Sequence, residues 1–142
     1  MTVKFTIYGE PQGKGRPIFS KRGKFVSTRT PDKTVLYENQ VKTAFENQCG
    51  IGAGFSDGAA LDMRIIAYYS IPKSISKKKA ALMLEGKIRP AKKPDADNIA
   101  KVIADSLNKI AYRDDSQIAD MQIRKFYSDT PRVVVSIQEL TG

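Results

Sequence analysis

The patterning of apolar side chains constrains the fold most strongly: strand signals stand at both ends of the chain and helical signals between them. Val3-Lys4-Phe5-Thr6-Ile7-Tyr8 alternates apolar with polar residues, the period of a strand with one face buried. Leu61 to Tyr69 reads as a second long strand ended by Pro72, and residues 117–127 and 132–139 as two closing strands. From about Asp32 to Gln48, Val35, Leu36, Val41, Ala44 and Phe45 recur near helical spacing. Pro31 precedes that run and Gly50 follows it, where helices favour these residues. Ser76 to Glu85 reads as a short basic helix stopped by Gly86, and Asp97 to about Ile110 as a third helix. Between these lie a Gly/Pro-rich loop over 9–17, a short basic hairpin around Lys21-Arg22-Gly23, and a Gly-rich connector over 51–59. This order predicts an α+β fold, a mixed β-sheet with helices packed on it.

At 142 residues the chain is expected to be one domain, 1–142, with a single core. No apolar run approaches the eighteen residues of a membrane span, and MTVKFTIYGE lacks the basic and apolar regions of a secretory leader. The single cysteine, Cys49, forms no internal disulfide and suits a reducing compartment, so a cytoplasmic location is expected. Tyr37 and Phe45 are expected in the core. Tyr68, Tyr69, Phe19 and Phe25 are expected in the core or at a dimer contact rather than stacked on bases.

The net charge is +9, which favours polyanionic partners, nucleic acid foremost. Its distribution is uneven: residues 1–33 carry +6, 34–70 carry −2, 71–93 carry +7, 94–120 carry −3 and 121–142 carry +1. The acidic block thus follows directly on the most basic one. Carboxylates beside a phosphate-binding surface repel its ligand, so a protein that only coats DNA has no use for them. A cation-binding site does.

That acidic block begins with Lys92-Lys93-Pro94-Asp95-Ala96-Asp97-Asn98-Ile99-Ala100-Lys101. Pro94 biases Lys93 toward an extended backbone, and on such a backbone Asp95 and Asp97 project from one side. Two like charges so placed repel unless a cation joins them, and Mg2+ takes hard oxygens from one or two carboxylates plus substrate phosphate. Lys101 lies one helical turn beyond Asp97, where an ammonium stabilises charge on a reacting phosphate. Asp105, a further turn along, is in register to orient Lys101 or to cap the network. Asp114-Asp115 stands at the entry to the next strand and offers another carboxylate to the metal.

Spacing alone leaves a plainer reading open. In it Asp97 is a helix N-cap, Asp95 answers the helix dipole, Asp97 and Lys101 form a surface ion pair, and Asp114-Asp115 is a turn.

The ordered set KPDADN-I-x-K, then Asp105, then Tyr112-Arg113-Asp114-Asp115-Ser116-Gln117-Ile118, resembles the RusA family of Holliday junction resolvases, typically encoded by phages or prophages. The resemblance is densest over residues 92–120. It extends more loosely to the opening strand, to Lys14-Gly15-Arg16-Pro17 and to the closing strands. It implies a RusA-like α+β homodimer that binds four-way DNA junctions and nicks two strands symmetrically with Mg2+ or Mn2+. The family's essential acidic residues fall on Asp95, Asp97 and Asp115, and its catalytic lysine on Lys101. The double aspartate leaves a one-residue ambiguity, taken here as Asp115 over Asp114. The basic stretch 73–93 is longer than in the shortest family members, a departure that bears on DNA-sequence preference and junction geometry rather than on the reaction.

Phosphate contacts are expected from Lys14, Arg16, Lys21, Arg22, Lys24, Lys77, Lys78, Lys92 and Lys93. A helix from Asp97 to Ile110 is roughly 20 Å long, while residues 111–115 reach about 17 Å when extended. Asp115 therefore meets Asp95 within one chain only if the chain runs back along the helix or the helix ends early; the alternative is that the partner subunit supplies this carboxylate. Two other functions fit the same composition: a non-catalytic protein that binds branched DNA, and a flap- or nick-directed nuclease of the same chemistry.

Overall fold

The computed structural model describes residues 1–141. Its elements run β1 (Thr2–Tyr8), β2 (Ile18–Arg22), β3 (Phe25–Arg29), α1 (Asp32–Cys49), β4 (Leu61–Ser70), α2 (Lys77–Leu84), α3 (Ala96–Ser106), a 3-10 turn (Asp115–Gln117), β5 (Ile118–Ser128) and β6 (Arg132–Glu139). The fold is α+β: a four-stranded mixed sheet in the order β1-β6-β4-β5, with β2 and β3 forming a separate two-stranded ribbon.

Alternation along the strands builds one apolar face. Val3, Phe5 and Ile7 of β1 lie opposite Ile137, Val135 and Val133 of β6, which lie in turn opposite Met63, Ile65 and Ala67 of β4. All nine are buried. α1 covers this face with Tyr37, Val41 and Phe45, and Phe45 meets Phe5 edge-on at 5.5 Å between ring centres. α3 adds Ile99, Val102 and Ile103, each fully buried. Tyr37, Phe45 and Tyr69 are buried as expected, because they fall on the inward period of their elements.

Phe19 and Phe25 do not join them; they are 71% and 81% exposed. Among the described residues the ribbon that carries them pairs with no third strand, and every residue of both strands is exposed. A dimer contact remains open for these two rings; a place in the core does not. Tyr68 lies on the sheet's outer face, 6.1 Å from Phe126 and under the Arg132 guanidinium at 4.0 Å.

β4 and β5 run parallel, and a parallel pair requires a long crossover. The crossover here is residues 71–117, which contain α2, α3 and every residue of the acidic motif. Closing the sheet thus lays α3 across its apolar face. Among the described residues no helix is long and apolar enough to cross a membrane.

α3 ends at Ser106 rather than near Ile110. Lys109 adopts φ 66°, its N–H donates to the Tyr112 carbonyl at 2.7 Å, and the Tyr112 hydroxyl donates to the Ala104 carbonyl at 2.6 Å. The chain therefore doubles back on the last turn of α3. The buried Ala111 and Tyr112 take the places that a continued helix would have kept out of the core.

Candidate active site

The approach to α3 is pinned from below by the sheet. The Tyr69 hydroxyl of β4 donates to the Pro94 carbonyl at 2.5 Å, and the Lys125 ammonium of β5 donates to the Lys92 carbonyl at 2.6 Å. Burial, reinforced by the Asp95 charge, pushes the Tyr69 hydroxyl up to about 12, so it is a protonated donor throughout the neutral range. Asp95 is the residue that occupies the N-cap of α3, with extended backbone, and its side chain makes no capping hydrogen bond. Asp97 lies inside the first turn. Asp97 is thus not the N-cap and Asp95 makes no capping bond, though both stand where the helix dipole favours a carboxylate.

Along α3, residues 99, 100, 102, 103, 104 and 106 are buried. Asp97, Lys101 and Asp105, four residues apart, form the stripe facing away from the core. Among the described residues Lys101 forms no ion pair with either aspartate. Asp105 instead receives Lys14, whose ammonium lies 2.8 Å from it and 3.6 Å from Glu38 of α1. Burial works against the charged ammonium, but the hydrogen bond and charge of Asp105, with Glu38 behind them, outweigh it and hold Lys14 above its ordinary range. Orientation of Lys101 by Asp105 is thus replaced by a contact spanning 91 residues, which no local spacing announces.

The double aspartate divides its labour. Asp114 caps the 3-10 turn, accepting from the Ser116 N–H at 3.0 Å, while the Gln117 side chain accepts from the Arg113 and Asp114 N–H groups. The bonds from Ser116 hold the Asp114 carboxyl below its usual range. Asp115 turns the other way, toward Asp105 and toward the Asn108 amide at 3.4 Å. Its carboxyl is raised, first by burial and then by a hydrogen bond with Asp105. Two carboxylates set side by side repel each other, and a divalent cation between them would relieve that repulsion.

The expected set of Asp95, Asp97 and Asp115 is not drawn to one point. Among the described residues no three Asp, Glu, His or Cys side chains converge at metal-holding distance. The reason is the early turn: it delivers Asp115 to the last turn of α3, and Asp97 to Asp105 spans about 12 Å of helix at 1.5 Å per residue. The donor chemistry still suits a hard cation, since Asp105 and Asp115 supply paired carboxylate oxygens and Mg2+ completes its shell with phosphate and water.

The N-terminal loop closes the site's other side. A Cβ on Gly13 would meet Asn98 Cβ at 3.0 Å and Pro94 Cβ at 3.2 Å, and one on Gly15 would meet Thr34 Oγ1 at 2.6 Å. Both glycines are therefore required by close approach, Gly13 to the start of α3 and Gly15 to α1. Between loop and helix runs a cleft of about 570 Å3 in which Asp95 and Asn98 face Arg16, Lys33 and Lys93.

Of the cations expected on phosphate, Arg16 lines this cleft together with Lys93, which is exposed. Lys21, Arg22 and Lys24 are exposed on the ribbon, and Lys77 and Lys78 on α2. Lys92 is exposed, 5.7 Å from the Tyr127 ring centre. Lys14 also lines the cleft, but its ammonium is held by two carboxylates. Glu38, Tyr69, Asn108 and Lys125 complete the surroundings, and none carries a signal in its own stretch of sequence.

A model of the family described as endodeoxyribonuclease RusA matches residues 8–138. The chain belongs to the RusA family. Its similarity also extends to a curated relative from Bacillus subtilis (strain 168), "Uncharacterized protein YqaN", 39% identical over 142 residues and covering 99% of this chain and 98% of the relative. Membership places the protein among DNA endonucleases.

Proposed function

We propose that this RusA-family protein resolves Holliday junctions, hydrolysing one phosphodiester bond in each of two opposed strands with Mg2+ or Mn2+. The observation that carries the reading is the placement of Asp115 beside Asp105, below Asp97 and Lys101 on the one open stripe of α3. Asp95, Asp97 and Asp115 are assigned to the metal; because Asp115 here stands against Asp105 at the far end of the helix, the three would serve one ion only once substrate or a second subunit brings them together. A bound divalent ion lowers the pKa of its water and offsets charge on the phosphate.

The chain's own residues do the remainder. Lys101, in no ion pair among the described residues, faces the phosphate and stabilises its added charge. Tyr69 and Lys125 hold the backbone of 92–94 so that Asp95 and Asp97 keep their aim. Arg16, Lys33 and Lys93 draw the DNA backbone along the cleft beside Asp95. A homodimer suits the substrate, because an isologous pair presents two equivalent sites to opposed strands.

A labelled four-way junction incubated with Mg2+ or Mn2+ tests the reading. Wild type is expected to give paired symmetric nicks, and Asp97→Asn and Asp115→Asn to lose at least about 100-fold in rate, the scale of losing an electrostatic contribution of this kind. Mn2+ is also expected to raise the melting temperature of wild type but not of Asp115→Asn. Junction binding without cleavage in any divalent metal would leave a branched-DNA-binding protein. Preference for flapped or nicked substrates over the matched junction would redirect the same chemistry.

A further inference from the structure

The β2–β3 ribbon is built for contact with something outside the body of the protein. Its two-residue turn, Gly23-Lys24, begins with Gly23 at φ 59°, a geometry that matches the twist of paired strands. Five residues a side make an arm about 17 Å long. Cross-strand register sorts its side chains onto two open faces. Phe25 stands opposite Arg22 on one, and Phe19 shares the other with Lys21 and Val26. An isolated hairpin is marginally stable in water, and large exposed rings add to that cost unless a partner covers them.

Charge identifies the partner. Between Glu10 and Asp32 the chain carries six Lys/Arg and no Asp/Glu. Lys14 is held by Asp105 and Glu38, and Arg29 lies 3.0 Å from Asp32. Arg16, Lys21, Arg22 and Lys24 are left for an external anion. Mutual packing of two such arms would bring Lys21, Arg22 and Lys24 against their own copies, and lysine is depleted in protein interfaces. Nucleic acid meets both halves of the pattern, phosphates for the cations and π-faces for the rings. The arm is rooted beside the candidate site, since Arg16 before it and Pro31 after it both line the cleft that holds Asp95.

We propose that the ribbon is a DNA-reading arm whose Phe19 and Phe25 stack on bases unstacked at the branch point, while Lys21, Arg22 and Lys24 neutralise the flanking phosphates. The inference rests on branched DNA being the substrate. It assigns to the arm the recognition of branching itself, because a duplex offers phosphates to the cations but no open base face to the rings.

The test uses full-length protein and a four-way junction with 2-aminopurine at the branch, in EDTA so that nothing is cut. Wild type is expected to change the branch-point fluorescence. Phe19→Ala/Phe25→Ala, and equally Phe19→Leu/Phe25→Leu, are expected to abolish that change and to weaken junction binding by about 10-fold or more per ring. Duplex affinity and melting temperature are expected to hold, because neither ring touches the core. Unchanged fluorescence and affinity in the alanine pair would overturn the inference, as would wild-type behaviour of the leucine pair. Dissociation of a dimer by the alanine pair in sedimentation would instead make the arm a contact between copies. Junction cleavage by wild type in Mn2+ separates the two readings: if it occurs while the arm variants behave as wild type, only the arm is refuted.

Discussion

Replacing Lys14 with methionine keeps most of the side chain's length and apolar bulk but removes the ammonium that joins Asp105 at 2.8 Å and Glu38 at 3.6 Å. All three side chains are only about a quarter exposed or less (25%, 26% and 18%), so solvent compensates poorly for the loss. A hydrogen bond between charged groups contributes about 1.5–3 kcal/mol, and the longer contact to Glu38 adds less than about 1 kcal/mol. The variant is expected to lose about 2–3 kcal/mol, which lowers the melting temperature of a chain this size by roughly 5–10 °C. Asp105→Asn removes the same contact from its other end, so the double variant should lose less than the sum of the singles, with a coupling of about 1–2 kcal/mol. If Lys14 were instead a phosphate contact, the variant would melt like wild type and lose about one unit of salt slope in DNA binding. A melting shift below about 2 °C together with a reduced salt slope would refute the argument from the ion pair.

Tyr69→Phe is expected to cost about 1 kcal/mol at neutral pH, the price of one hydrogen bond, and to slow cleavage by loosening the backbone ahead of Asp95. The hydroxyl's folded pKa is raised from 10.0 to about 12, so its contribution is fully present below the unfolded value and is lost as pH rises through the folded one. Denaturation followed from pH 9 to 12 should therefore show the gap between wild type and Tyr69→Phe narrowing above about pH 10. Gly15→Ala forces a methyl to within 2.6 Å of Thr34 Oγ1 and 3.0 Å of Pro31 Cγ. It should destabilise by about 1–3 kcal/mol, as overpacking does, and displace Lys14 next door; thermal melting and the rate of junction cleavage report the two effects.

The local architecture was legible in the chain because its causes act over a few residues. Period-two alternation places Val3, Phe5 and Ile7 on one face, Ser76 caps α2 by accepting from the Lys79 N–H at 3.2 Å, and the i, i+4 spacing of Asp97, Lys101 and Asp105 puts them on one stripe. Choosing Asp115 over Asp114 came from the resemblance; the structure adds that Asp114 caps the 3-10 turn.

What the tertiary structure decided depends on segments that meet only when the crossover packs. Lys14 reaches Asp105 across 91 residues, Tyr69 reaches Pro94 across 25, and the turn at Lys109 delivers Asp115 to the end of α3 rather than its start. Exposure of Phe19 and Phe25 was equally invisible in the sequence, because alternation marks a strand and says nothing of whether a second layer covers it. Short-range periodicity and capping are properties of a segment alone. The partner of a charge or of an apolar face is a property of the whole packed chain.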